Sequence, residues 1–341
     1  LYEGLPVSAG GPSPFVLGIP VALNHVDVES RVRASGAVLL RCVSILRPPD
    51  RSRPHRRPHL SETTTQVQSV GVAPGDDIVI TWAGATDTGL RRDNNQDSFL
   101  AEYPLFVVAD GMGGHAGGEI ASQSTIARLH EVVASGSVTT SAIEKALEQT
   151  VGDIAAHPET TDEGTGTTLT GVFLDTAESE PRWVSLNIGD SRVYLLRDGR
   201  LVQVTTDHSV VQELISSGRL SPEEAEGHPY SNVITRAVGA SELAPPDYLG
   251  IEVVDGDRFV ICSDGLTKEL TDYGIQHFLR EHTDPAAAVD AMLAAALENG
   301  GRDNVTVIIV SVSRPSASAG DETAAITAVD ESLSTAEQTA Q

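Results

Sequence analysis

Short apolar runs that stop at an acid recur along this chain. Leu105-Phe106-Val107-Val108-Ala109 ends at Asp110-Gly111, and Phe259-Val260-Ile261-Cys262-Ser263 ends at Asp264-Gly265. Runs this short, with no polar alternation, predict strands buried on both faces. Further strands are predicted over 78–87, 166–174, 183–188 and 191–197, and over 305–310. Asp198-Gly199 predicts a hairpin turn into 200–204. Helical spacing marks 118–133, through Ile120, Ile126, Leu129 and Val133, and 141–154, through Ile143, Leu147, Val151 and Ile154. Helices are also predicted over 208–218, 271–281 and 285–299, the first of them ended by glycine. The polar stretch 219–249 reads as a long irregular flap. The strands pair as hairpins and the helices fall in two groups, so strict βαβ alternation is absent. The pattern fits two antiparallel sheets covered by helices, an α+β arrangement.

Composition divides the chain into three. Residues 1–74 are rich in Pro, Gly, Ser and Arg, as in Arg47-Pro48-Pro49-Asp50-Arg51-Ser52-Arg53-Pro54. Such a segment buries too little apolar surface to offset the entropy of ordering and is expected to be disordered. It lacks the charged start, apolar centre and small-residue cleavage site of a signal peptide. One reading of its start at Leu1, without methionine, is that part of it is translated upstream sequence. Residues 75–313 form the expected folded domain, and 314–341, rich in Ser, Ala, Thr and Glu, an acidic disordered tail. The formal charge of −25 hides an asymmetry. Residues 1–60 carry eight arginines, no lysine and four acids, so the acidic excess lies in the remainder. That excess argues against nucleic acid as a partner and favours divalent cations near the surface. Two distant cysteines, Cys42 and Cys262, make no disulfide framework and suit a cytoplasmic setting. No run reaches the roughly 18 apolar residues of a membrane span.

Five acids stand at predicted strand ends: Asp97, Asp110, Asp190, Asp264 and Asp303. Taken singly, each is more readily an ordinary turn residue. Taken together, they suggest a shared centre. Two bare charges about 4 Å apart repel by on the order of 4 kcal/mol at an effective dielectric near 20, and a divalent cation removes that cost. All-oxygen ligands suit Mg²⁺ or Mn²⁺, and no Cys/His cluster argues for zinc. Two decoys fail. Gly111-Met112-Gly113-Gly114-His115-Ala116 mimics a dinucleotide fingerprint, but Asp110 would set a negative charge beside the pyrophosphate. Asp93-Asn94-Asn95-Gln96-Asp97 opens like a calcium-binding EF-hand, but Ser98 and Pro104 occupy the Gly and Glu positions of that loop.

The ordered motifs carry a resemblance. Thr88-Gly89, Arg92 and Asn95-Gln96-Asp97 are followed by Val108-Ala109-Asp110-Gly111-Met112-Gly113-Gly114-His115 and by Gly166-Thr167-Thr168. Then come Gly189-Asp190-Ser191-Arg192, Thr206-Asp207-His208-Ser209, Ile234-Thr235-Arg236-Ala237-Val238-Gly239, Cys262-Ser263-Asp264-Gly265-Leu266 and Arg302-Asp303-Asn304-Val305-Thr306. From about residue 78 to 313 the chain resembles the metal-dependent protein phosphatases of the 2C type, bacterial branch. The resemblance implies a four-layer α/β/β/α sandwich of two mainly antiparallel sheets flanked by helices. It implies hydrolysis of phosphoserine and phosphothreonine in proteins by water activated on two, or with a weaker site three, Mn²⁺ or Mg²⁺ ions. Asp110 then bridges two metals, the carbonyl of Gly111 ligates one, and Asp264 and Asp303 ligate the other. Asp190, with Asp264, resembles the third site. Arg92 matches the arginine that grips the substrate phosphate, and Asp97 the acid beside the metal pair. His115 is a candidate proton donor to the leaving alkoxide, or else a loop histidine that only shapes the glycine turn. Gln96 departs from the family, which usually has Glu there, so weaker metal binding is expected. The implied partners are phosphorylated proteins, serine/threonine kinases and their substrates; a monomer acting without membrane or nucleic acid is expected. Two other classes stay open: a phosphatase-like regulator that binds without turnover, and a Ca²⁺-stabilised β-protein.

Overall fold

The computed structural model describes residues 63–73, 76–113, 116–157, 159–160, 164–177, 180–225, 227–239 and 245–314. The chain forms β1 (Gln66–Ala73), β2 (Asp76–Asp87), β3 (Asp97–Glu102) and β4 (Leu105–Met112), then helices α1 (Gly117–Ala134) and α2 (Thr140–Ala156). A strand-rich stretch follows: β5 (Gly166–Thr167), β6 (Leu169–Asp175), β7 (Arg182–Ile188), β8 (Arg192–Arg197) and β9 (Arg200–Gln203). Short helices α3 (Val210–Ser216) and α4 (Pro222–Ala225) precede β10 (Asp247–Glu252) and β11 (Arg258–Cys262). The chain closes with α5 (Asp264–Thr267), α6 (Asp272–Glu281), α7 (Pro285–Asn299) and β12 (Val305–Ser313).

The strands make two sheets, ordered β1-β2-β12-β11-β8-β9 and β10-β7-β6-β4-β3, with β5 beside β4. Every pairing among them is antiparallel. The two-sided burial of the apolar runs now has its cause. On β12, Val305, Val307 and Ile309 face α6 and α7, while Ile308, Val310 and Val312 face the other sheet. On β4, Phe106 and Val108 face that same interior, and Leu105 and Val107 face α1 and α2. The layers are therefore α/β/β/α, as expected. Between the sheets run Trp82, Phe106, Trp183 and Phe259, with successive ring centroids 5.3, 6.2 and 5.3 Å apart. Tilted ring pairs of this kind add to the area they bury.

Local chemistry sets the helix ends. Thr139, Thr271 and Asp284 accept hydrogen bonds from the first turns of α2, α6 and α7, and Pro285 stands at the first position of α7. The alanines of α7 let it lie close on β12 and β2. The hairpin turn between β8 and β9 uses Asp198 and Gly199, both with positive φ.

Two expectations need correction. The folded domain starts before residue 75, because β1 lies inside the segment read as disordered extension and pairs with β2 from Gln66↔Trp82 onward. Its sequence, Gln66-Val67-Gln68-Ser69-Val70, is polar because β1 is an edge strand with Val67 largely exposed. The flap over 219–249 is not wholly irregular. It holds α4, is laced back by bridges Ser209↔Ile234 and Thr167↔Val238, and its last residues begin β10. Residues 1–62, 240–244 and 315–341 lie outside the described residues. Among the described residues no helix is long and apolar enough to cross a membrane.

Candidate metal centre

Asp97 on β3 and Asp110 on β4 are direct register partners. Asp264 opens α5 just past β11, and Asp303 stands two residues before β12, next to β11 in the other sheet. Antiparallel pairing thus brings acids from both sheets to one end of the sandwich. Asp110 is locked by its main chain. Its N–H donates to Thr168 Oγ1 at 2.9 Å, and its carbonyl accepts from Thr168 N–H and from Thr167 Oγ1, both at 2.9 Å. Thr168 Oγ1 also shares a hydrogen with Ser191 Oγ at 2.8 Å, which ties the Asp110 strand to the turn that carries Asp190. That turn is braced from below: Arg192 clasps Asp207, with Nη2 2.6 Å from Oδ2, and the Gly189 N–H donates to His208 Nδ1.

Asp97 is buried and anchored across the sheets. Ser263 and Thr306 each donate a hydroxyl to its Oδ2 at 2.7 Å. Behind Thr306 stand Thr86, at 2.7 Å, and Asn95, which donates to Thr86. Since Thr306 gives its hydrogen to Asp97, the hydrogen between the two threonines comes from Thr86, and three donors point in series at one carboxylate. Asn304 is the other staple. Its Nδ2 donates to the carbonyls of Thr88 and Asn94, and its Oδ1 accepts from the Gln96 N–H, all at 2.9 Å. The loop that carries Arg92 is thereby fastened to the residue beside Asp303. Close backbone approach explains two glycines: a Cβ on Gly111 would stand 2.1 Å from the Gly118 carbonyl, and one on Gly265 1.9 Å from the Asn304 carbonyl.

The electrostatics follow from burying acids together. Burial, and then Asp97, Asp264, Asp190 and Asp303, hold Asp110 well above the ordinary carboxylate range. Burial raises Asp97 to about 6, against the two hydroxyl donors. Burial, with Asp264 and Asp207, raises Asp190 to about 7. Asp264 is raised by burial, despite Lys268. Asp303 goes the other way: burial works against its charge, but Lys268 and Arg92 outweigh it and hold the carboxyl low. Lys268 Nζ lies 2.5 Å from Asp264 Oδ2 and 3.0 Å from Asp303 Oδ2, and Arg92 Nη2 lies 2.8 Å from Asp303 Oδ1. Burial works against the ammonium too, but the two acids hold its pKa up.

The structure therefore brings together Asp97, Asp110, Asp190, Asp264 and Asp303, with Arg92 resting on Asp303 and Gly111 next to Asp110. His115 lies outside the described residues. Among the described residues no three acidic, thiol or imidazole groups already converge on one point as a finished metal cage; Lys268 and Arg92 stand among the acids instead. The donor set nonetheless fits a hard cation. It is all oxygen, and it leaves Asp97 Oδ1 and Asp264 Oδ1 buried without a partner. Lys268 escaped the sequence reading, although its place four residues after Asp264, within reach on a helix, was the available signal. Asn304, Thr168 and Ser263 stood in the motifs, but no pattern showed what they bond to.

Three comparisons bear on this arrangement. The family model described as Protein phosphatase 2C matches residues 89–299. The serine/threonine protein phosphatase PstP of Mycobacterium tuberculosis is 40% identical over 239 residues, which are 69% of this chain and 45% of that protein. This chain thus spans about half the length of that relative. The serine/threonine phosphatase stp of Listeria innocua is 32% identical over 238 residues, 66% of this chain and 93% of that protein. A crystal structure of the PstP catalytic domain in complex with two manganese ions matches with a TM-score of 0.61 at 36% identity, over 69% of this chain and 99% of that one.

Proposed function

Because the chain belongs to the protein phosphatase 2C family, we propose that it hydrolyses phosphoserine and phosphothreonine in proteins, with divalent cations held at the sheet ends. One observation carries the proposal. Five carboxylates from both sheets crowd one end of the sandwich, four with raised pKa, and two of them turn a buried oxygen to no donor. Positive charge at that place removes the repulsion and satisfies the orphaned oxygens.

In this reading Asp110 and the Gly111 carbonyl would hold one cation, Asp110 with Asp264 and Asp303 a second, and Asp190 with Asp264 a weaker third. Bound cations supply activated water and charge against the phosphoryl oxygens. The protein does the rest. Asp97, fixed by Ser263 and Thr306, accepts a hydrogen bond from the attacking water and orients it. Arg92 is half exposed and swings from Asp303 to fork two phosphoryl oxygens. His115 gives the leaving alkoxide its proton. No protein nucleophile is needed, and Cys262 is unsuited to be one: it is fully buried in β11, and burial pushes its thiol up to about 12. Residues 219–249 select the substrate, the partners are phosphorylated proteins, kinases and their targets among them, and the enzyme works as a monomer.

A second reading has two observations in its favour. Gln96 stands where an acid is expected, and two protein cations already cover Asp303. That favours a phosphoprotein-binding regulator without turnover. Hydrolysis of p-nitrophenyl phosphate over a full Mn²⁺ titration separates the two. The enzyme reading predicts Mn²⁺-dependent turnover that Asp110→Ala abolishes; no turnover at any Mn²⁺ concentration favours the regulator.

A further inference from the structure

We propose that Lys268 is a tethered counter-cation of the Asp264–Asp303 pair, which an incoming divalent metal has to displace or overcome, so that this one side chain sets the metal concentration at which the centre becomes loaded. The inference rests on the phosphatase reading and concerns the control of that same site.

Lys268 follows the single turn of α5 and reaches back four residues to Asp264 Oδ2 at 2.5 Å. An exposed pair at that spacing contributes only about 0.3–0.5 kcal/mol and needs no function. This lysine differs in three ways. The same ammonium reaches a second acid, Asp303, from a separate element 35 residues on, at 3.0 Å. Its side chain is only one-third exposed. Both acids belong to the group whose convergence defines the candidate centre, and Asp264 keeps its other oxygen, Oδ1, buried and unpartnered.

Charge decides the direction of the effect. With Arg92 and Lys268 in place, two positive charges already offset five acids around the end of the sandwich. A divalent ion ligated by Asp264 and Asp303 lies about 2.0–2.6 Å from their oxygens. The ammonium then stands within a few ångströms of a like charge in a partly buried place, where repulsion is weakly screened. Either Lys268 swings out into solvent, at the loss of two ion pairs, or it stays and repels the metal. Both weaken metal binding. In the metal-free protein the same ammonium relieves the repulsion between the two acids. It thereby keeps the site folded while empty and makes loading a competition between a built-in cation and a free one.

The test is a Mn²⁺ titration of the wild-type protein, Lys268→Gln, Lys268→Met and Lys268→Arg, followed by calorimetry and, in parallel, by melting temperature. The charge-removing variants should bind Mn²⁺ with Kd at least tenfold lower, and the Mn²⁺ concentration for half-maximal hydrolysis should fall with it. In EDTA they should melt below the wild type, and saturating Mn²⁺ should close that gap. Lys268→Arg, which keeps the charge, should stay within about threefold of the wild-type Kd. Unchanged or weaker Mn²⁺ binding in both Lys268→Gln and Lys268→Met overturns the proposal and leaves Lys268 a structural ion pair. If the wild-type protein binds and hydrolyses normally in that case, the phosphatase reading stands. A wild-type protein that neither binds Mn²⁺ nor hydrolyses phosphate fails at the parent reading and takes the lysine proposal with it.

Discussion

Asp97→Asn should stabilise the metal-free protein at pH 7.5 while it weakens the response to metal. The buried Asp97 carboxyl is raised from 3.8 to about 6. At about 1.4 kcal/mol per pH unit, ionising it in the folded state costs on the order of 3 kcal/mol. Asparagine removes that charge and still offers one oxygen to the hydroxyls of Ser263 and Thr306. Its amide would take the place of Oδ1, which has no partner, and an unsatisfied buried amide costs about 1–3 kcal/mol. A net gain of up to about 2 kcal/mol remains, or up to about 8 °C in Tm for a domain of this size. The sign with pH follows from the direction of the shift. Because the folded pKa lies above the unfolded one, the contribution of this group to stability is fully present below about pH 4 and is lost as the pH rises through about 6. The wild type should therefore recover on acidification: the ionisation cost falls by about half at pH 5, which removes most or all of the gap between the proteins. The assay is thermal unfolding followed by circular dichroism in EDTA, from pH 4.5 to 7.5, repeated at saturating Mn²⁺, where the variant should gain less. A variant that melts clearly below the wild type at pH 7.5, or that gains on the wild type as the pH falls, would show that the Asp97 charge does not destabilise the metal-free fold.

The remaining expectations concern the scaffold around those acids. Asn304→Ala removes three hydrogen bonds that fasten the 88–96 loop, at about 1 kcal/mol each; urea unfolding should show a loss of about 3 kcal/mol, with a raised KM because Arg92 is no longer held in place. Phe106→Ala, at the centre of the inter-sheet aromatic row, should cost about 3–5 kcal/mol in the same assay. Cys262 should react with a thiol reagent only at the rate of unfolding, since it is fully buried and its thiol is pushed up to about 12; fast labelling of the native protein would contradict the packing of β11.

The strands that carry the acids were legible because their signal is local. β4, β11 and β12 are inner strands, so both faces are apolar, and the run of Val, Ile and Phe ends where the chain leaves the core at Asp110 and Asp264, or begins just after Asp303. β1 was not legible for the opposite reason: an edge strand with one wet face has no continuous apolar run, and its place is fixed by pairing to β2. Helices α2, α6 and α7 fell within two residues of their predicted bounds, and the structure shows Thr139, Thr271 and Asp284 capping their first turns. The support of the centre was hidden. Ser263 and Thr306 reach Asp97 across 166 and 209 residues, and Asn304 reaches Asn94 across 210. No periodicity encodes such contacts; only the sheet order brings them together. Lys268 shows the limit of a reading built on acids, because a pattern of carboxylates at strand ends draws no basic residue into the set.

The most direct test is a Mn²⁺ binding isotherm of the metal-free protein beside Asp110→Asn and Asp264→Asn, one acid taken from each sheet. A shared centre predicts that either substitution lowers the affinity or the number of ions bound, and that release of phosphate from a phosphothreonine peptide falls with it. Isotherms that match the wild type in both variants would mean that these acids do not hold metal together.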